Sequence, residues 1–412
     1  MHLSGSEATG GAGRGAQWLH EGLRALGADS TIHFRRAELD AQLRPLGPGS
    51  VPAAVGRLKL AANRRITERV KRHNERFYFL APFALGGADP LIAGADVVHA
   101  HWLSDGSFSI PRLAAAGVPL VVTLRDMWPF TGGCSYDLGC GRFTGDCHAC
   151  PELRAPFSPW LARWRQRANR NEAMRAVRFV AISDWLRDRA RASRVLAGMQ
   201  VETISNAIDV NAFFPVDTAG LRSRLGIAEG EQVVVSGSLD LDHNYKNMAA
   251  LLPIWAKLAR PGRRLVLFGV GGESLRRALP DDVVFLGPLR SNADLREVYS
   301  LADAFISPSL QEAFGKTSAE AAACGAPVVA FDSTGTADIV IDGKTGMLAP
   351  LGDSEAMAAA IERVLVAGGR ASSLGTTARA DCLARFAADV VARQYLELYR
   401  DMLDQPSGRK AA

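Results

Sequence analysis

Short apolar runs rich in β-branched residues recur along the chain, and amphipathic stretches separate them. In the first half the runs fall at residues 31–34, 97–100, 119–124, 179–182 and 201–204. In the second they fall at 233–235, 265–268, 283–286, 304–306 and 328–331. They scarcely alternate in polarity, which is how strands covered on both faces of a parallel sheet read. The stretches between them, such as 16–26, 248–258, 295–301 and 356–366, carry one apolar stripe and predict helices. Strand–helix–strand repetition in each half predicts an α/β protein of two doubly wound domains. The 412 residues leave room for two or more domains of about 150. The junction is expected at residues 206–215. The first strand is expected to be short, because only Met1–Ser4 precede the glycine-rich turn. Either the start has lost a few residues or the strand is clipped.

Hydrophobic residues at 48% and charged residues at 22% exclude a disordered or fibrous chain. No run reaches the ~18 apolar residues of a membrane helix. The first six residues lack the basic and apolar regions of a secretory leader, so a cytosolic protein is expected. Residues 1–207 hold 27 Lys+Arg against 18 Asp+Glu, a charge of +9; the rest hold 21 against 25, or −4. A basic half suits an anionic surface or a phosphate-bearing substrate.

Much of that charge sits between Gly56 and Arg76, with eight basic and two acidic residues. Leu58, Ala62, Ile66 and Val70 give it an apolar stripe. Two readings stand. It is a solvated helix covering the sheet, or the stretch from Arg57 to Arg76 touches anionic lipid at the inner face of the cytoplasmic membrane. A second basic run lies at 163–178, and six of seven tryptophans lie at or before Trp185. No nucleic-acid module is recognisable, and nucleic acid is not an expected partner.

The segment 307–329 carries the strongest chemical signal. A strand ends, a loop follows, and a helix is expected to start near Gly315 and stop at Gly325-Ala326-Pro327. The amides of Phe314, Gly315, Lys316 and Thr317 would then be the free donors of a helix N-terminus, a ready anion site. Glu312 and Glu320 are eight residues apart, ~12 Å if helical. That exceeds the ~5–5.5 Å of a nucleophile–acid carboxylate pair, so they are expected to do different work on one extended ligand. The plainer reading makes Glu312 a loop charge and Glu320 a solvated helix residue.

Residues 337–340 and 343–348, 205–209 with Phe214-Pro215, and the opening Gly10-Gly11-Ala12-Gly13-Arg14-Gly15 complete a pattern. Together with 307–329 it resembles the family-four retaining glycosyltransferases of the GT-B fold. His99-Ala100-His101-Trp102, followed by the string from Thr123 to Cys134, is similar to a bacterial exopolysaccharide and lipopolysaccharide subgroup. The resemblance implies two Rossmann-like domains facing across a cleft. Residues 1–207 would bind the acceptor and 208–385 a nucleotide-diphosphate sugar, while 386–412 would cross back to the first domain and end in a frayed tail. It implies transfer of a hexose to a saccharide, lipid-linked acceptor without a catalytic metal. Glu320 would hold the ribose and Glu312 the reacting sugar. Residues 314–317 and Gly10-Gly11 would approach the phosphates, and Lys246 would neutralise the leaving diphosphate. Asp126, His101 and Trp102 fall on the acceptor side.

Two positions depart from that pattern. Ser238 stands where many members carry a second phosphate-binding arginine. Arg125 stands where the family has histidine, and arginine is no base at neutral pH. Arg125 replaces the histidine if its work is charge or hydrogen bonding; if it is proton transfer, activity is lost. The alternatives are therefore an epimerase or hydrolase of nucleotide sugars on the same fold, or a catalytically silent nucleotide-sugar-binding subunit. His99 and His101 are expected on opposite faces of their strand, one under a helix and one lining the site with Trp102.

Cys134, Cys140, Cys147 and Cys150 crowd into a loop rich in glycine. Their number and the Cys-x2-Cys half-site suit structural zinc; reduced thiols or a disulfide are the alternatives.

Overall fold

Two parallel sheets organise the protein in this computed structural model. It describes all residues except 8–9, 37–43, 46–52, 73–77, 84–91, 93, 104–107 and 405–412. The chain divides into two compact units, Met1–Ala207 joined by the segment from Ala388, and Ile208–Ala387.

The sheet of the first unit has the strands β1 (His2–Glu7), β2 (Ile32–Arg36), β3 (Arg44–Pro45), β4 (Val98–His101), β5 (Leu120–Leu124), β6 (Val177–Ala181) and β7 (Val201–Thr203). Their order is β3-β2-β1-β4-β5-β6-β7, and every pairing is parallel. β4 and β5 are buried throughout, as their unbroken apolar runs require. β1 is not clipped. It runs six residues and pairs with β2 and β4, the register shifting between Ser4 and Glu7. Its second half, Gly-Ser-Glu, lacks β-branched residues and reads as a loop.

The first helix, Gly11–Ala25, packs on the C-terminal helix, Ala388–Asp404. A Cβ at Gly22 would lie 2.6 Å from the Ala388 carbonyl oxygen, so glycine lets the two backbones meet. The basic segment forms the helix Ala53–Val70; residues 73–76 of the expected stretch lie outside the described residues. Its buried side is not the Leu58 stripe. Of that stripe Leu58 is 68% exposed, Ala62 and Ile66 are half-buried and Val70 is buried, whereas the polar Asn63 and Thr67 are fully covered. Asn63 exchanges two hydrogen bonds with the Phe83 backbone, and Thr67 accepts from the Leu80 amide. The helix turns a polar edge inward because that edge clasps main chain, which apolar periodicity cannot show.

The second unit carries β8 (Gln232–Asp240), β9 (Arg263–Val270), β10 (Val283–Phe285), β11 (Ala304–Ser307), β12 (Val328–Phe331) and β13 (Gly346–Ala349), in the order β10-β9-β8-β11-β12-β13. All pairings are parallel. Val234, Leu267, Ile306 and Phe331 share a core with Trp255 and Ile361 from flanking helices. β13 was not among the expected strands. It begins at Gly346, where a Cβ would lie 2.0 Å from the Val328 carbonyl oxygen.

Candidate functional site

In the second unit the carboxyl end of β11 runs into the loop 308–315 and then the helix Lys316–Ala323. Ligands of open parallel sheets bind at such strand ends. Gly315 caps the helix with φ +92° and offers no side-chain cap. A Cβ there would lie 2.6 Å from Thr336 Oγ1. Thr336 and Ser318 are 3% and 0% exposed, and neither hydroxyl has a hydrogen-bond partner among the described residues. Buried hydroxyls rarely go unpartnered in a finished fold. Here they accompany the uncapped amide end of a helix, where partial positive charge collects.

Glu312 is buried in this loop. Its Oε1 lies 2.5 Å from Lys246 Nζ and accepts from the Ser309 hydroxyl at 3.1 Å. Its main chain is held from β12's far side, the amide donating to Thr334 Oγ1 and the carbonyl accepting from Gly335. Glu320, on the helix, is 2% exposed and accepts from the Tyr299 hydroxyl at 3.0 Å, with Lys316 Nζ at 3.8 Å. Neither glutamate is the solvated charge of the plainer reading. The structure brings Lys246 and Glu312 together. It sets Glu320 apart, eight residues on and with its own partners. Phe314 is buried against Phe386, so of residues 314–317 the backbone, not this ring, is what a ligand could reach. Ser238 is buried near the end of β8.

Sequence reading missed Ser309, Tyr299 and Thr334-Gly335-Thr336. The triplet is small and polar and passes for an ordinary turn. Its one distinctive feature is Gly335, where a Cβ would lie 2.4 Å from the Ala313 carbonyl oxygen.

In the first unit Gly10 caps the first helix, and a Cβ at Gly11 would meet nothing within 4 Å. The glycine that packing demands is Gly15, whose Cβ would lie 2.6 Å from Arg125 NH1. Arg125 is 8% exposed. It donates to Asn206 Oδ1 at 2.5 Å and to His101 Nδ1 at 3.1 Å, and its Nε has no partner among the described residues. Burial lowers the guanidinium to about 10, so it stays a cation at neutral pH. Its partners are a neutral amide and a neutral ring.

His99 and His101 share one face of β4, as residues two apart on a strand must; their rings are 4.0 Å apart. The expectation of opposite faces is corrected, as is that of His101 lining a site, since it is 0% exposed. A guanidinium only donates, so His101 Nδ1 accepts, and Nε2–H donates to His2 Nδ1 at 3.0 Å. His99 joins Tyr399 and Thr123, each at 2.6 Å, and Thr123 meets Tyr395. His2, His99 and His101 have donor atoms within 4.8 Å of one another. Those nitrogens are committed, however, and the Arg125 charge and the chain's amino terminus face them. Burial first, then these positive neighbours and each other, hold all three rings well below the usual histidine range. The trio is a neutral hydrogen-bonded core that opposes a cation.

Asp126 is a fastening rather than an open acceptor. Its carboxylate takes Trp102 Nε1 and the Ser135 hydroxyl, each at 3.1 Å, and the Trp128 amide at 2.9 Å. None of the six cysteines forms a disulfide; Cys324 and Cys382 are buried in the second unit, as small core residues.

Two family models match the chain. One, described as Glycosyltransferase Family 4, spans residues 9–212; the other, Glycosyl transferases group 1, spans 230–366. The alpha-maltose-1-phosphate synthase of Mycolicibacterium smegmatis is 27% identical over 329 residues, 74% of this chain and 79% of that protein. The D-inositol 3-phosphate glycosyltransferase of Saccharomonospora viridis is 30% identical over 287 residues, 65% of this chain and 62% of that protein. Among solved structures, Anabaena HepE in complex with UDP and glucose superposes with a TM-score of 0.65 at 18% identity, covering 97% of this chain and 99% of that one. Two Rossmann-like units and both matched models make this chain a glycosyltransferase of the GT-B fold. More narrowly, the stretch 9–212, most of its first unit, matches the model of glycosyltransferase family 4.

Proposed function

We propose that the protein is a retaining, metal-independent hexosyltransferase. It would use a nucleotide-diphosphate sugar and act on a lipid-linked saccharide in bacterial cell-surface polysaccharide synthesis. One observation carries the donor half of this reading. The uncapped end of Lys316–Ala323 holds two buried hydroxyls without partners, in the unit that also pairs Lys246 with Glu312. A diphosphate would take the helix amides and the Thr336 and Ser318 hydroxyls, and Lys246 would turn from Glu312 to the charge that develops on the leaving group. A fixed cation does there what a metal does elsewhere. Glu312 is held by a lysine and a serine, so it fits polarising the sugar better than attacking it. Departure and attack on one face, with the phosphate taking the acceptor proton, would preserve the anomeric configuration. Arg125 would supply charge and hydrogen bonds, not a base.

The acceptor half rests on the sequence string from His99 to Cys134 and on the exposed basic face of Ala53–Val70. A second reading, a small phosphorylated acceptor, is favoured by the names of the two relatives.

Thermal protection by a panel of nucleotide sugars tests the donor, since a ligand at 100 times its dissociation constant adds about 2.7 kcal/mol. Protection by at least one member is expected in the wild type, and a much smaller shift in Glu320→Gln. No protection by any member overturns the reading. Product anomeric configuration tests retention, and side-by-side lipid-linked and phosphorylated acceptors decide between the two acceptor readings.

A further inference from the structure

The four clustered cysteines have no part in the donor site. They lie in the stretch 125–160, which follows β5 and contains only two short 3-10 turns, Trp128–Phe130 and Arg142–Thr144. Loops of that length without regular structure are uncommon in compact domains unless something else holds them. All four cysteines line one cavity of about 20 Å³, room for about one water molecule or ion. Each is anchored to a different piece of chain. Cys134 bridges Tyr78. The Cys140 amide donates to Asp137, the Cys147 amide to Gln166 Oε1, and the Cys150 amide to the Ser158 carbonyl.

Donors also point at sulphur. The Gly132 amide hydrogen-bonds to the Cys147 thiol, and Arg142 NH1 lies 3.2 Å from Cys140 Sγ. Such donors accompany metal-bound thiolates and offset their charge. At Gly132 a Cβ would lie 2.9 Å from the Cys147 Cβ, so glycine admits this approach. The sulphurs surround the cavity without closing on it. Among the described residues, the donor groups of three or more within 4.8 Å are the buried histidines alone. An ion would draw the thiolates inward to about 2.3 Å each.

We propose that Cys134, Cys140, Cys147 and Cys150 bind one zinc ion that holds this loop in place. Four thiolates with one divalent ion leave a charge of about −2, which Arg142 faces. The site would also steady Asp126, because Ser135, next to Cys134, bonds both Asp126 and the Met127 amide.

The test uses full-length protein purified with reductant and without added chelator. About one zinc per chain is expected, and chelation should release it while exposing four additional titratable thiols. Cobalt substitution should give thiolate-to-metal charge-transfer bands and the intense visible bands of a tetrahedral ion. Cys147→Ser with Cys150→Ser should abolish metal content, and Cys324→Ala should leave it at wild-type level. The wild-type measurements do not depend on any variant folding. Wild-type protein without metal, with four thiols free under native conditions, overturns the proposal. So does a disulfide among the four, or iron in zinc's place.

Discussion

Lys246 is the residue whose neighbours say most about its work. Its ammonium sits on Glu312, in a loop with few other cations, and a diphosphate would compete for it. Lys246→Ala is expected to weaken a nucleotide-diphosphate sugar about 10- to 150-fold, the equivalent of ~1.5–3 kcal/mol for a hydrogen bond to charge, while the bare nucleoside binds nearly as before. Calorimetric titration of both ligands checks this, and equal losses would remove Lys246 from the phosphates. Arg125 shows how a sequence string can name a residue and leave its partners unseen. Its string marks it as important, yet its guanidinium points at Asn206 and His101. A pairing across the unit leaves no local trace in the sequence. Glu312 and Glu320, by contrast, were legible, because a helix start after a strand and loop fixes where their main chain must go.

Most elements declared themselves through apolar content; those that did not were built by other forces. β13 depends on Gly346 for close backbone approach, and the buried edge of Ala53–Val70 depends on Asn63 and Thr67 binding main chain. Gly335 is a similar device at the donor loop. Gly335→Ala would press a methyl into the Ala313 carbonyl, a clash of the kind that costs about 1–3 kcal/mol. Both the urea midpoint and donor affinity should fall; unchanged affinity would detach this turn from the site. The basic helix offers a cleaner separation of fold and function. Arg64, Arg65 and Arg72 are exposed, so changing all three to glutamate should leave the unfolding curve near wild type. Sedimentation with anionic vesicles should be lost, as should its sensitivity to salt over ~0.1 to ~1 M, where the Debye length shrinks from ~10 to ~3 Å. Wild-type protein that ignores such vesicles at low salt would return the helix to a solvated cover.

For the molecule as a whole, acid should be the weak side. His2, His99 and His101 are held neutral in the fold, their pKa values depressed by burial, whereas the unfolded chain takes up protons below ~6.5. The stability they allow is therefore complete above about pH 6.5 and declines as pH falls below it toward the depressed values. The slope is up to about 1.4 kcal/mol per pH unit for each ring. Urea unfolding from about pH 7.5 to about pH 5 should show that decline, and a flat profile would contradict the neutral core. The same histidines meet Tyr395 and Tyr399 on the C-terminal helix, and that arrangement bears on the order of synthesis. When residue 207 leaves the ribosome, the first unit still lacks the helix that covers its sheet. At ~5–20 residues per second, that helix follows about 10–40 s later. The second unit is contiguous in sequence and can finish first. A nascent chain halted near residue 210 should thus bind chaperones and resist native-like protection from protease, and the full chain should gain that protection only once residues 388–404 emerge. The protein's earliest half would be the last to settle.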